Sequence, residues 1–147
     1  MTGLQLIKKM EAISLQSEAE AAINQTGELG ADIIAGQLAQ GQRADGTEIT
    51  PFYKPSTIEI KRRKSGLAGI TDRVTLYDTG SYYRGLYVTA KGGNVFYGSR
   101  DSKANKLQDK YGNRGGKGLL GFNRDGKSEY TPILKKAFIA NVKNRLK

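Results

Sequence analysis

"RGLYVTAKGGNVFYGS", residues 84–99, is the stretch on which the fold turns. Two β-type runs flank Gly92-Gly93, and a Gly-Gly pair supplies the positive φ angles of a two-residue hairpin turn. Pairing about that turn sets Ala90 opposite Val95 and Val88 opposite Tyr97, with Leu86 beyond, all on one face. Tyr87, Thr89 and Phe96 fall on the other. The first face is expected to be core. The second is aromatic, so a helix or another subunit is expected to cover it.

Outward from the hairpin the chain reads as helices. Residues 3–40 have no Pro, and Leu6, Met10, Ile13, Ile23, Ile33, Ile34 and Leu38 recur at broadly helical spacing, a stripe expected to pack as core. Thr26-Gly27 and Gly30 weaken its middle, which predicts two helices or one bent one. Gly41, Asp45-Gly46, Pro51 and Pro55 then mark a turn-rich connection, followed by a short helix begun near Ser56 and a joint at "SGLAGITDR". Beyond the hairpin, "DSKANKLQDKYG" predicts a short helix with an Asp or Ser cap and a terminal Gly. After a Gly-rich loop comes the last helix, with Thr131 as N-cap, Pro132 in the first turn, and an apolar stripe of Leu134, Phe138 and Val142. The expected fold class is α+β: a long N-terminal helix and C-terminal helices packed on a small antiparallel sheet containing the hairpin. At 147 residues it is expected to form one domain: 1–40 helical, 41–75 loop and basic segment, 76–100 hairpin region, and 101–147 helix, Gly-rich loop and helix.

Composition excludes several kinds of chemistry. Cys and His are both absent, which removes disulfides, the common zinc sites, Cys–His and Ser–His catalysis and the usual proton shuttle near neutral pH. No apolar run approaches a membrane span and no signal peptide is visible, so a soluble, cytosolically made protein is expected. The net charge is +10 and uneven: residues 1–40 hold two Lys against five acids, and the excess of base lies beyond them. Such an excess implies a polyanionic neighbour, either nucleic acid or an acidic protein surface. Lys61, Arg62, Arg63 and Lys64 form its densest run.

"LLGFNRDGKS", residues 119–128, matches G-x-x-x-x-G-K-[ST] from Gly121 to Ser128. A working phosphate loop needs a buried strand before it and a helix N-terminus at its Gly-Lys-Ser end. Only Leu119-Leu120 precede it as a strand, and a helix capped at Thr131 starts too late to serve Lys127. The match is expected to be a surface turn with no nucleotide chemistry.

Three stretches carry a resemblance. "DGTEITPFYKPSTIEIKRRKSG" resembles the "DG…W.PLS..T…K" pattern of phage virion-morphogenesis proteins, with Phe52 in place of Trp. "LYDTGSYYRGLYV" resembles their "L.DTG.L..S" through Leu76, Asp78, Thr79 and Gly80, with Tyr82 near the Leu and Gly85 departing from the Ser. "ANKLQDKYG…LLGFNRD" resembles "A..HQ.G…R.FLGLS..D" through Ala104, Gln108, Gly112, Leu120, Gly121 and Phe122. Together they span roughly residues 40 to 147 in the family's order. The resemblance implies a tail-completion or head–tail connector component of a tailed phage or prophage, structural rather than enzymatic, with no catalytic residue, cofactor or metal to carry over.

The expected function is therefore a neck or tail-completion ring subunit located in the virion and assembled in the host cytoplasm. Its expected partners are further copies of itself and other neck, portal or tail proteins, with DNA in the channel as a further one and no membrane. Asp78, Thr79 and Gly80 read as a structural turn. Lys61, Arg62, Arg63, Lys64, Tyr87, Phe96 and Phe122 are the candidate interface, with loops 61–70 and 112–127 held by neighbours. The alternative is a basic nucleic-acid-binding protein using Lys61 to Lys64, Arg114, Lys117 and Arg124 against phosphates. An enzyme ranks third, since nothing sets Asp72 and Asp78 around a common pocket.

Overall fold

The hairpin forms in the expected register. In the computed structural model, which describes residues 1–112 and 118–147, β1 (Leu86–Lys91) pairs antiparallel with β2 (Asn94–Ser99), setting Ala90 opposite Val95 and Val88 opposite Tyr97. Gly92 and Gly93 take φ of 60° and 81°, the left-handed pair that matches the twist of the strands. Leu86, Val88 and Ala90 are buried, as expected of the core face. On β2 the expectation fails for the core face, where Val95 and Tyr97 are exposed; Phe96, on the other face, is exposed too. The reason is what covers the sheet. The helices of residues 15–39 lie across β1, and β2 lies beyond them, with the short helical turn Ser81–Arg84 packed against it.

Those helices come from residues 3–40, which form three elements rather than one or two: α1 (Gly3–Glu11), α2 (Leu15–Gln25) and α3 (Gly27–Ala39). The break at Thr26 falls where the Thr-Gly pair was expected to weaken the helix. The other break is made by Ser14, whose hydroxyl accepts the Ser17 N–H at 3.2 Å and caps a new helix. α2 and α3 pack on β1. The Asn24 side chain donates to the Ala90 carbonyl at 3.1 Å and accepts the Ala90 N–H at 2.8 Å, closing the outer edge of β1. Gly27 permits this approach, because a Cβ there would run into the Val88 carbonyl oxygen. The expected core stripe holds at Ile34 and Leu38, both buried, and fails at Leu6 and Met10, which α1 leaves exposed.

Downstream, α4 (Pro55–Arg62) begins with Pro55 in its first turn, and a 3₁₀ turn (Gly66–Gly69) follows. α5 (Ser81–Arg84) leads into the hairpin and α6 (Ala104–Tyr111) leaves it. The Asp or Ser cap expected on α6 is absent: Lys103 occupies the position without a side-chain bond, and the Asp101 carbonyl accepts the Ala104 N–H at 3.0 Å. The last helix corrects the sequence reading most. α7 runs Arg124–Arg145, capped by Asn123, whose side-chain oxygen accepts the Gly126 N–H at 2.8 Å. Pro132 sits inside it. Pro132 and Ser128, four residues before it, are both exposed, so the carbonyl that Pro132 leaves without a donor can meet water. Buried Tyr130 fixes the preceding turn by a 2.6 Å hydrogen bond to Thr26 and a stacked ring at 4.6 Å from Phe122.

The architecture is α+β. α2 and α3 lie on β1, and α7 packs on α2 and α3 and reaches the sheet through Tyr130, Phe122 and Tyr97. One buried cluster joins α3, the connecting segments, β1 and the end of α6: Ile34 and Leu38, Ile49 and Val74, Leu86 and Val88, Tyr111 and Leu119. Each fully buried Ile or Leu there contributes about 1.5–3 kcal/mol by leaving water.

Candidate interaction surfaces

The Asp78-Thr79-Gly80 turn is built on a buried extended segment. Val74, Thr75 and Leu76 are all buried, yet no strand pairs with them. Tyrosine hydroxyls serve their backbone instead: Tyr53 accepts the Thr75 N–H at 3.0 Å, and Tyr83 donates to the Thr75 carbonyl at 2.6 Å. Burial pushes the Tyr83 hydroxyl well above its ordinary pKa, keeping it protonated as that donor. Leu76 takes φ of 59°, a strained left-handed conformation for a branched residue. Gly80 then turns the chain at φ of 88°, where a Cβ would meet the Tyr77 hydroxyl at 2.7 Å. The Asp78 carboxylate accepts from the Lys64 ammonium, and that bond holds its pKa below the usual carboxylate range.

Beside this turn lies a cleft of about 310 Å³. Tyr53, Thr57 and Lys64 line it from the first family-like stretch, Leu76, Asp78 and Gly80 from the second, and Leu107 and Tyr111 from the third. What these residues do to one another is mainly to hold the fold. Asp78 is paired with Lys64, while Asp72 pairs with its neighbour Arg73 at 2.9 Å and does not line the cleft. Among the described residues no group of three His, Cys, Asp or Glu could hold a metal ion.

The basic run divides. Lys61 is buried, a correction to its expected place on an interface: its ammonium donates to the Tyr77 carbonyl at 2.8 Å and lies 5.0 Å from the Tyr53 ring centroid. Lys64 is committed to Asp78, and Arg63 makes a loose exposed pair with Glu59 at 3.5 Å. Arg62 projects outward. Tyr87 is half-buried under the Arg100 guanidinium, 4.7 Å from its ring centroid, and Phe96 is exposed. Phe122 is not a free interface residue either, because it packs against Tyr97 and Tyr130. Leu119, expected to await a neighbouring subunit, is 1% exposed in its own core. Arg114 and Lys117 lie outside the described residues.

Arg43 had no sequence signal. It is buried without a carboxylate, and its guanidinium donates to the carbonyls of Glu48 (3.2 Å), Thr50 (2.8 Å) and Tyr111 (2.7 Å). The last is at the C-terminal end of α6, where a cation also favours the helix dipole.

At the phosphate-loop match, the helix does begin at the Gly-Lys-Ser end, contrary to expectation. Its amides are nevertheless occupied. Asn123 takes the Gly126 N–H, and the Gln37 side chain accepts the Asn123 N–H at 3.1 Å while donating to the Gly121 carbonyl at 2.7 Å. No strand precedes the loop among the described residues. Side chains fill the place of the anion.

Apolar side chains stay exposed on α1 and on the sheet, among other positions. Leu4, Ile7 and Met10 of α1 are 64%, 52% and 56% exposed, and no residue of that helix is buried. On the sheet, Val95 and Phe96 of β2 are 41% and 49% exposed. Among the described residues no helix is long and apolar enough to cross a membrane. Comparison with protein-family models, with curated proteins and with solved structures finds no match for this chain.

Proposed function

We propose that this chain is a structural virion assembly protein of a tailed phage or prophage, a tail-completion or neck ring subunit joining head and tail. The observation that carries the reading is the uncovered apolar surface of α1 and β2 on a chain whose core is otherwise closed. Clustered exposed apolar side chains of this kind mark surfaces that a partner covers. A subunit covers them with its neighbours. The resemblance to virion-morphogenesis proteins supports the same reading. Its three stretches meet at one cleft, where they fix the fold through Lys64–Asp78 and the tyrosine hydroxyls rather than assembling reactive groups.

The mechanism is geometric. The helix–sheet core fixes the shape of each subunit, and its open surfaces choose the neighbours. A contact between two different surfaces, repeated by a closing rotation, produces a ring. Neighbouring rings of portal or tail protein, and DNA in the channel, are the remaining partners. No bound cofactor enters.

The test is sedimentation velocity with negative-stain imaging of the purified protein, alone and mixed with heads and tails of a phage that encodes it. Closed rings, and co-sedimentation with particles, are expected. A protein that stays monomeric when concentrated and binds DNA with a steep loss of affinity in salt would overturn the reading in favour of a nucleic-acid binder. The engagement of Lys61 and Lys64 inside the fold weighs against that outcome.

A further inference from the structure

α1 and a groove at the far end of α7 are complementary. At about 100° per residue, Leu6, Met10 and Ile7 form one apolar arc along α1, which Leu4 extends beyond the exposed Glu11, with Lys8 and Lys9 at its margins. The helix is preformed: the Thr2 hydroxyl accepts the Gln5 N–H at 3.2 Å, and the Gln5 side chain accepts the Thr2 N–H at 2.8 Å. Lys9 reaches the main-chain oxygen of Lys147, which holds the polar side of α1 beside the end of α7. The apolar arc is left facing solvent.

Between α3 and the first turns of α7 runs an open groove of about 440 Å³. Leu29, Ile33 and Ile133 line it beside the buried Gln37 and Asn123, and the exposed Asp32, Asp125 and Glu129 make its border acidic. No Lys or Arg lines it, on a chain of net charge +10. The three carboxylates are exposed and enter none of the ion pairs formed among the described residues.

We propose that this groove receives α1 of a second copy. Leu4, Ile7 and Met10 cover Leu29, Ile33 and Ile133, while Lys8 faces Asp32, Asp125 and Glu129. The inference deepens the ring reading and rests on it. A chain's own α1 does not lie in its own groove: Lys9 holds it at the Lys147 end of α7, and Leu4, Ile7 and Met10 stay exposed. Donor and acceptor are different surfaces, so every copy gives one helix and takes one. That arrangement generates a ring when the rotation closes.

Two full-length variants test it by sedimentation velocity. Ile7→Asp with Lys8→Glu removes the donor and leaves the groove; Asp32→Lys with Glu129→Lys removes the acceptor and leaves α1. All four positions are exposed, and unchanged melting midpoints in dilute solution verify that both variants fold. The wild-type chain is expected to form an oligomer, and each variant alone to associate at least tenfold more weakly. An equimolar mixture should give a dimer and no larger species, since one intact contact remains per pair. Either variant assembling as the wild type does, or a mixture that stays monomeric, would overturn the α1 contact while leaving the ring reading standing. A wild-type chain that is monomeric at every concentration would sink both.

Discussion

Two buried cations show how much of this basic chain is spent on its own backbone. Lys61 and Arg43 are paired with no carboxylate; both serve carbonyl groups that the loops would otherwise bury unsatisfied. Removing the donor from such a carbonyl costs about 1–3 kcal/mol, more than a surface charge is worth. Lys61→Met should therefore lower the unfolding free energy by about 1–3 kcal/mol, while Arg62→Ala, one residue on, should stay within about 0.5 kcal/mol of the parent. Arg43→Lys should cost more than Lys61→Met, because a single ammonium cannot reach three carbonyls as a planar fork does. Equal effects at 61 and 62, measured by urea unfolding, would show that the basic run is a uniform solvated face. A contrast of the same kind holds for glycines. Gly27→Ala drives a Cβ into the Val88 carbonyl and should push α3 off β1, at a cost of about 1–3 kcal/mol. Gly36→Ala, in open space within the same helix, should stabilise by about 0.5–1 kcal/mol.

At the scale of elements, the Gly-Lys-Ser turn of α7 decides whether a motif is a site. Its N–H groups are held by Asn123 and its inner side is closed by Gln37, so phosphate would have to break a satisfied buried network. Isothermal titration with ATP or GTP and magnesium should show no saturable binding, and Lys127→Ala should leave the titration unchanged. A saturable heat that Lys127→Ala removes would reverse this. The sequence was informative where a local rule is strong. Gly92-Gly93 set the hairpin register, the helix expected near Ser56 is α4, and Thr26-Gly27 marked a helix break. It misled at α7 because Pro132 ordinarily begins a helix, and the features that outweigh it here are tertiary: Tyr130 in the core and Asn123 against Gln37 and Gln42. It misled at β2 because alternation states which face is apolar and not how far the covering helices extend. Of the candidate interface, the cationic residues were visible as a run, but only packing could separate Lys61 from Arg62. Arg43 stands in a turn-rich stretch with no pattern around it, and its role comes from carbonyls that folding brings to it.

Across the whole molecule, α1 stands apart from the core. α1 contributes four apolar side chains and buries none of them. Residues 15–145 supply every member of the core cluster. Deleting residues 1–12 should then leave the stability of the dilute protein within about 0.5 kcal/mol of the parent, the range of ordinary surface changes. Concentration should separate the two chains. If copies join through α1, the intact chain gains stability as binding to the folded state shifts unfolding, by about 2.7 kcal/mol at a hundredfold excess over the dissociation constant. Its melting midpoint should rise across a concentration series, and that of the truncated chain should stay level. Raising salt should shrink the rise, because the acidic rim attracts Lys8 through a screened field. A truncated chain that melts well below the parent in dilute solution would mean that α1 packs on its own chain. A level midpoint in the intact chain would mean that its apolar arc stays bare.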